Sequence, residues 1–291
     1  MTAHLAHARS GDEMTPPATL KERAKRIVLR KLVDRVRPLI YRRSEGGIRC
    51  LTFHYLFGHE RERARRLFSA LKHEGDFVTT DEMLAALCGA PVRGLGAQRL
   101  FHLSIDDGFE NIATVAHPVL KDLGIPYSLM VCPAFVGADP EGLDAFRRNA
   151  RYARPLRLAG WDQLRRLAAD GVEIGAHTLT HRELSTLSGD ELAQEVAAPK
   201  RIIEERLGKP CTSFAWPFGR RSAMSEEALR IARGAGYRAV FSSVRGTLVP
   251  GGGVPRYLPR HHFEPSWPLD TVLYYATRAE PPFAPEPLGH A

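Results

Sequence analysis

Cysteine is scarce here and scattered. Four occur in 291 residues, Cys50, Cys88, Cys132 and Cys211. No two form a Cys-x-x-Cys pair, which argues against a disulfide framework and against a thiolate zinc knuckle; they read as buried free thiols. Long apolar runs are missing as well, since nothing approaches the roughly 20 residues that a membrane-spanning helix requires. Residues 1–20 hold no apolar stretch of the kind a secretory signal needs, so the expected location is cytoplasmic. No internal period marks a repeat architecture.

What is present suits one large α/β domain with short extensions: 44% of the residues are hydrophobic and 25% charged. The formal charge of +8 suggests an acidic partner until it is located. Between Leu20 and Arg43, ten Lys/Arg stand against two acids, Glu22 and Asp34, and the rest of the chain is balanced. This segment lacks a recognisable nucleic-acid module, and no nucleic acid is expected. Its residues Leu20, Ala24, Val28, Leu32 and Val36 fall at helical spacing, which predicts a basic amphipathic helix over 19–45. Two readings stay open. The apolar stripe packs on the domain with its charge solvated, or residues 20–43 make peripheral contact with the anionic inner face of the cell membrane.

Residues 1–18 are polar and small, and are expected to be disordered; the Pro-rich tail over 280–291 is expected to be so too. Between them, over 49–277, strand and helix alternate. Strands are predicted at Cys50–Leu56, in the run ending at Asp106, and at Tyr127–Cys132, Val172–Ala176, Cys211–Phe214 and Ala239–Ser242. Helices are predicted at 60–72, from the capping box Thr79-x-x-Glu82 to Leu87, at 111–123, 161–170, from Ser188-x-x-Glu191 to Leu207, and at 225–233. Residues 139–160 read as an irregular, Arg-rich insertion. Such alternation implies parallel strands, in a covered sheet or a barrel.

The run Phe101-His102-Leu103-Ser104-Ile105 ends in Asp106-Asp107-Gly108. Glycine permits the sharp exit from a strand end, and in α/β folds the carboxyl ends of strands are where sites assemble. Two adjacent carboxylates there can divide the work, one on a metal and one free as general base. The bland alternative is a turn whose Asp caps the next helix. His177-Thr178-Leu179-Thr180-His181 tips the balance, because it follows another predicted strand. Two histidines four apart share one face of a helical turn and can place two imidazoles on one cation. Unlike His-Glu-x-x-His metalloproteases, this segment supplies no base of its own, and the spare Asp at 106–107 is available.

Ser104-Ile105-Asp106-Asp107-Gly108, His177-Thr178-Leu179-Thr180-His181 and Phe214-Ala215-Trp216-Pro217-Phe218-Gly219 resemble, in order and in position at strand ends, the first three motifs of the polysaccharide deacetylase family. This is the NodB-homology group, carbohydrate esterase family 4. The resemblance covers about residues 49–275. It implies a deformed (β/α) barrel with fewer strands than a full eight. It further implies a divalent metal of the Zn²⁺ type held by Asp107, His177 and His181, with Asp106 as the base. The implied reaction is metal-dependent hydrolysis of an N-acyl group, usually acetyl, from an amino sugar. The metal would lower the pKa of water and polarise the amide carbonyl, and a backbone N–H of the Pro217-Phe218-Gly219 turn would meet the substrate's developing oxyanion.

The chain departs from that family's pattern in two places. Ala215 stands where an Arg usually tethers the base, and Arg260 or Arg256 is expected to replace it. The general acid, usually in a Leu-x-His segment, would come from Leu258-Pro259-Arg260-His261-His262, with His261 the first choice and His262 the second. His54, at the end of the first strand, would face the same pocket. Glu173 would either orient a ligand histidine or pair with charge inside the barrel. Arg147, Arg148, Arg151, Arg154 and Arg157 would form a solvated helix face or hold a substrate phosphate. The expected substrate is an N-acetylated amino sugar in a polysaccharide, glycolipid or nucleotide-sugar precursor. The alternatives are a deformylase or other C–N amide hydrolase on the same fold, and a non-catalytic glycan-binding protein.

Overall fold

The structure, a computed structural model, describes residues 46–91, 99–152, 156–286 and 288. The segments expected to be disordered over 1–18 and helical over 19–45, together with the membrane contact, lie outside the described residues, as does Arg154.

Among the described residues, eight strands run in chain order: β1 (Ile48–Phe53), β2 (Gly75–Val78), β3 (Arg99–Ile105), β4 (Ser128–Val131), β5 (Glu173–Ala176), β6 (Ser213–Ala215), β7 (Ala239–Phe241) and β8 (His261–His262). Their order across the sheet is β7-β6-β5-β4-β3-β1-β8. β2 pairs with the first half of β3 and β4 with its last two residues, so both share one edge of the longest strand. Every ladder is parallel. Leu258 bridges in parallel to Phe241, while His261 and His262 pair with Leu51 and Thr52. The segment 258–262 thus joins the β7 side to β1 and curls the sheet into a deformed (β/α) barrel.

The two sheet faces divide as a period of two requires. Leu51, Phe53, Leu103, Ile105 and Leu129 pack outward beneath the helices, against Leu67, Phe68 and Leu71 of α1 (Arg61–Glu74). Ile48, Cys50, Leu100, Met130, Ala215 and Phe241 fill the inside. Burying each of Phe53, Phe68 and Phe101 completely contributes about 1.5–3 kcal/mol. Above the apolar plug, Thr52, His102, Ser104 and Arg260 are buried toward the carboxyl ends of the strands. Because all strands are parallel, those ends form one rim, and the loops that leave it carry the site.

The remaining helices are α2 (Thr80–Leu87), α3 (His117–Asp122, after a π turn at Ile112–Ala116), α4 (Pro140–Ala150), α5 (Trp161–Ala169), α6 (Gly189–Leu207), α7 (Glu226–Gly234) and α8 (Leu269–Thr277). The capping box at Thr79 forms, with Thr79 accepting from the Glu82 N–H. Ser188 makes no side-chain cap, in contrast to the sequence reading; only its carbonyl accepts from Leu192, at 3.4 Å.

Three further readings are corrected. Residues 139–160 are not wholly irregular, because α4 is capped by the Asp139 carboxylate, which accepts from Gly142 N–H at 2.9 Å, and Pro140 takes the first-turn place where its missing donor costs nothing. His177–His181 is not a helical turn but a loop with left-handed backbone at Thr178 and His181. The tail is held over 280–286: Phe283 N–H donates to the Thr247 carbonyl at 2.8 Å and Tyr257 Oη to the Glu286 carbonyl at 2.9 Å. Proline removed donors from that tail but not the acceptors and the aromatic ring that dock it. Among the described residues no helix is long and apolar enough to cross a membrane.

Candidate active site

β3 delivers Asp106 and Asp107 to the rim. Gly108 makes the exit possible, with φ +71° and a Val131 methyl 2.8 Å from where a Cβ would sit. Asp107 itself is held at φ 73°, and the other non-glycine residues in left-handed backbone, among the described residues, are Arg151, Thr178, His181 and Phe218. For L-residues that conformation costs about 1–2 kcal/mol each. Its concentration on the loops of one rim marks a place where geometry has been kept at the expense of local preference.

β5 delivers the histidines. His177 N–H continues the sheet by donating to the Val131 carbonyl at 2.8 Å, and its Nδ1 lies 2.7 Å from the Ala215 carbonyl. A ring nitrogen facing a carbonyl carries the proton, which leaves Nε2 as the lone pair. That lone pair faces Asp107 Oδ1 at 3.5 Å, and His181 Nε2 approaches the same oxygen at 3.1 Å. The ligand atoms of Asp107, His177 and His181 lie within 4.8 Å of one another, and all three residues are buried. Neither Asp107 oxygen receives an aligned hydrogen bond. Imidazole lone pairs and a carboxylate turned on one point suit a borderline divalent cation such as Zn²⁺.

Electrostatics agree with the geometry. Burial pushes the His177 imidazole down to about 4, which keeps it neutral. Burial alone would raise the Asp107 carboxyl, but the neighbouring His181, His54 and His177 hold it well below the usual range.

The sequence reading missed what shapes the ligand loop. Glu195 on α6, buried, accepts from Thr180 N–H at 2.9 Å and from the Thr180 hydroxyl, and its own carbonyl accepts from Leu179 N–H at 3.0 Å. Asn149 of α4 donates to the Thr180 carbonyl at 2.7 Å. Only a buried carboxylate at one helical face, with Thr180 as its partner, signals this, and helical periodicity gives Glu195 no special place. Glu173 does not touch a ligand histidine. It accepts from Thr80 and Ser213 inside the barrel, and the histidine-orienting role belongs to the Ala215 carbonyl.

Asp106 meets Arg260. Nη1 donates to Oδ1 at 2.7 Å and Nη2 to Oδ2 at 2.8 Å, with the guanidinium fully buried. Arg260 also donates through Nε to the Ser242 carbonyl at 2.7 Å and through Nη1 to Ser104 Oγ at 3.0 Å. Burial would raise the Asp106 carboxyl, and Arg260 followed by His177 more than offsets it, so the group stays ionised below its usual range. Arg256 pairs instead with Glu226 at the surface.

The two histidines of β8 point opposite ways, as neighbours on a strand must. His261 is buried against Arg49 Nη1, 3.1 Å from its Nε2, and the Gly246 carbonyl at 3.0 Å. That corrects the expectation of a His261 acid, because its ring belongs to the Arg49–Glu280 cluster. His262 is the one beside the site, its ring 5.0 Å from that of His54 and its Nε2 3.0 Å from Glu264 Oε1. His54 is half-buried, with burial lowering its imidazole and Asp107 and Asp106 acting against that. Tyr152, two residues past the end of α4, lies beside it, rings 6.4 Å apart, and burial and then the Asp107 charge push its phenol up.

The Pro217-Phe218-Gly219 turn closes the other side. The Phe218 ring stands 5.4 Å from that of His181. Gly219, at φ +62°, lies against Ser243, whose Oγ is 2.1 Å from the place of a Cβ. Of the arginines expected on the rim, Arg151 lies over Phe218, its guanidinium carbon 4.6 Å from the ring centre. Arg147 pairs with Asp144 on its own helix.

The parallel barrel thus carries an Asp-Asp pair and a His-x-x-x-His loop on one rim. Residues 94–240 match the family model described as polysaccharide deacetylase, and the chain belongs to that family. The Bacillus subtilis (strain 168) protein YxkH, whose name assigns it provisionally to the polysaccharide deacetylases, is 24% identical over 136 residues, covering 47% of this chain and 42% of its own. A gellan lyase of a Bacillus species is 31% identical over 136 residues, 46% of this chain and 5% of its own. This chain thus matches less than half the length of either relative. Among solved structures, IcaB from Ammonifex degensii superposes with TM-score 0.62 at 24% identity, over 80% of this chain and 100% of that one. The Streptococcus pyogenes deacetylase PplD, in complex with acetate, gives 0.62 at 20% identity, over 80% and 99%.

Proposed function

We propose that this protein is a metal-dependent carbohydrate N-deacetylase, hydrolysing the N-acetyl group of an amino sugar in a saccharide or glycolipid. The observation that carries the reading is the convergence of Asp107, His177 and His181 next to an Asp106 held by Arg260. A divalent ion held by Asp107, His177 and His181 would supply Lewis acidity toward the amide carbonyl and acidify water.

The chain's own residues supply the rest. Asp106, kept ionised, accepts a proton from the attacking water. Arg260 replaces the tether absent at Ala215 and fixes both carboxylate oxygens. The Phe218 and Gly219 N–H groups meet the developing oxyanion. His262 hands a proton to the leaving amine, which an amide nitrogen requires because it departs poorly as an anion. Phe218 and Tyr152 wall the site from water. Arg260 in the tether position also weighs against a purely glycan-binding protein, which has no use for a fixed spare base. The excess charge over 20–43 supports a substrate at an anionic lipid surface on the cytoplasmic side, and this part rests on sequence alone.

The test is ion content of the purified protein together with acetate release from N-acetylglucosamine oligomers, before and after chelation. One ion and chelator-sensitive release are expected at stoichiometric zinc. An ion with formate released instead from N-formyl sugars would move the reading to a deformylase, and no bound ion would overturn it.

A further inference from the structure

The carboxyl ends of β1 and β8 carry three donors outside the ligand set described above. Thr52 of β1 is the register partner of His262 on β8. His54 lies two residues beyond Thr52 and Glu264 two beyond His262, so the spacing returns each to the face its predecessor presents. The ligand atoms of His54, His262 and Glu264 lie within 4.8 Å of one another. His262 Nε2, 3.0 Å from Glu264 Oε1, makes no aligned hydrogen bond. The His54 and His262 rings meet edge to face at 63°. Donors on a tetrahedral zinc stand about 3.3–3.5 Å apart, given bonds of about 2.0–2.1 Å, so small side-chain rotations bring these three into range. The His262 and Glu264 side chains are 35% and 22% exposed, which leaves the cluster open to ions from solution.

We propose that His54, His262 and Glu264 form a second divalent-cation site of the zinc class, sharing no ligand with Asp107, His177 and His181, and that its occupation silences the enzyme. An ion and a transferable proton exclude each other at His262 Nε2, so filling this site removes the acid that the leaving amine needs. The site fills after the first, because its half-buried donors are held less firmly than the buried Asp107, His177 and His181. The binding half of this inference stands on the donor geometry alone, while the inhibitory half rests on the proposed function.

Co²⁺ titration of the full-length protein, read by its visible absorption, and equilibrium dialysis with Zn²⁺ test it. Two ions are expected for the native protein. Glu264→Gln and, separately, His54→Gln should bind one ion, and Asp107→Ala/His177→Ala should also bind one. Circular dichroism and thermal melting of each variant establish that it is folded. Acetate release should rise with the first equivalent and fall at least tenfold with the second. In Glu264→Gln the inhibitory concentration should rise at least tenfold. A native protein that saturates at one ion, or two ions retained by both folded single variants, would overturn the second site. Two ions without acetate release at any ratio would uphold the site and overturn the proposed reaction instead.

Discussion

Arg260 and Asp106 are 154 positions apart and meet as a bidentate pair in the barrel interior, at 2.7 and 2.8 Å. A parallel fork of this kind fixes both carboxylate oxygens at once, which a lysine cannot do. The Ser242 carbonyl and Ser104 hydroxyl take two further guanidinium donors, so each of the three guanidinium nitrogens has an acceptor.

Removing one partner strands the other. Arg260→Met should cost about 3–5 kcal/mol of unfolding free energy, because Asp106 is left charged and buried. Adding Asp106→Asn should recover most of that stability and none of the acetate release. Urea denaturation and kinetics of the single and double variants check it; equal stability of native protein and Arg260→Met would rule the tether out.

His262 and His261 should separate cleanly. His262→Gln is expected to lower kcat by about 10²–10⁴ with the ion at Asp107 retained, the usual contribution of a general acid. His261→Gln should instead cost about 1–3 kcal/mol of stability through Arg49 and Gly246, with kcat in the folded fraction close to native. The opposite assignment of effects would return the acid role to His261.

Gly219→Ala meets two penalties at once. Left-handed backbone costs about 1–2 kcal/mol for a residue with a Cβ. Overlap with the Ser243 side chain adds about 1–3 kcal/mol. Ser243→Gly in the same background should recover only a share of the second part, as judged by thermal melting, because the Ser243 backbone nitrogen also lies 2.7 Å from the place of a Cβ.

Stability should fall with acid before any carboxylate titrates. Burial, reinforced by the Arg260 charge, pushes His102 down to about 3 from its ordinary 6.5. A base depressed in the folded state stabilises fully above 6.5 and loses that contribution as pH falls toward 3, because the unfolded chain takes up the proton first. The slope is up to about 1.4 kcal/mol per pH unit for one group. His261, and His177 in ion-free protein, both pushed to about 4, steepen it. Chelated protein unfolded by urea between about pH 7 and 5 should show this loss, and His102→Asn should flatten the slope by one proton. A pH-independent unfolding free energy over that range would contradict it.

The parts of the site that a short stretch encodes were legible in the sequence. A strand ending in Asp-Asp-Gly and a His-x-x-x-His after another strand point to one rim, since strand ends in a parallel fold must share it. The local geometry of His177–His181 was not legible. Its loop is set by Glu195, fourteen residues beyond His181, and by Asn149 from another helix, and spacing alone cannot tell a helical turn from a loop that brings the same two rings together. Likewise α4 was not legible within 139–160, because the cap that starts it, Asp139 on the Gly142 N–H with Pro140 in the first turn, shows only in the fold.

The sequence by itself determined the alternation of strand and helix, the two-Asp and two-His chemistry, and the confinement of the excess charge to residues 20–43. Each of these is a matter of residue type and near-neighbour spacing. Which histidine of β8 faces the site was decided only by tertiary structure, because adjacent strand residues point to opposite faces and the register with β1 fixes which is inside. The tether was decided there too. Arg260 and Arg256 are equivalent as written, and the closing of the sheet through Leu258 carries one of them to Asp106 and leaves the other at the surface with Glu226.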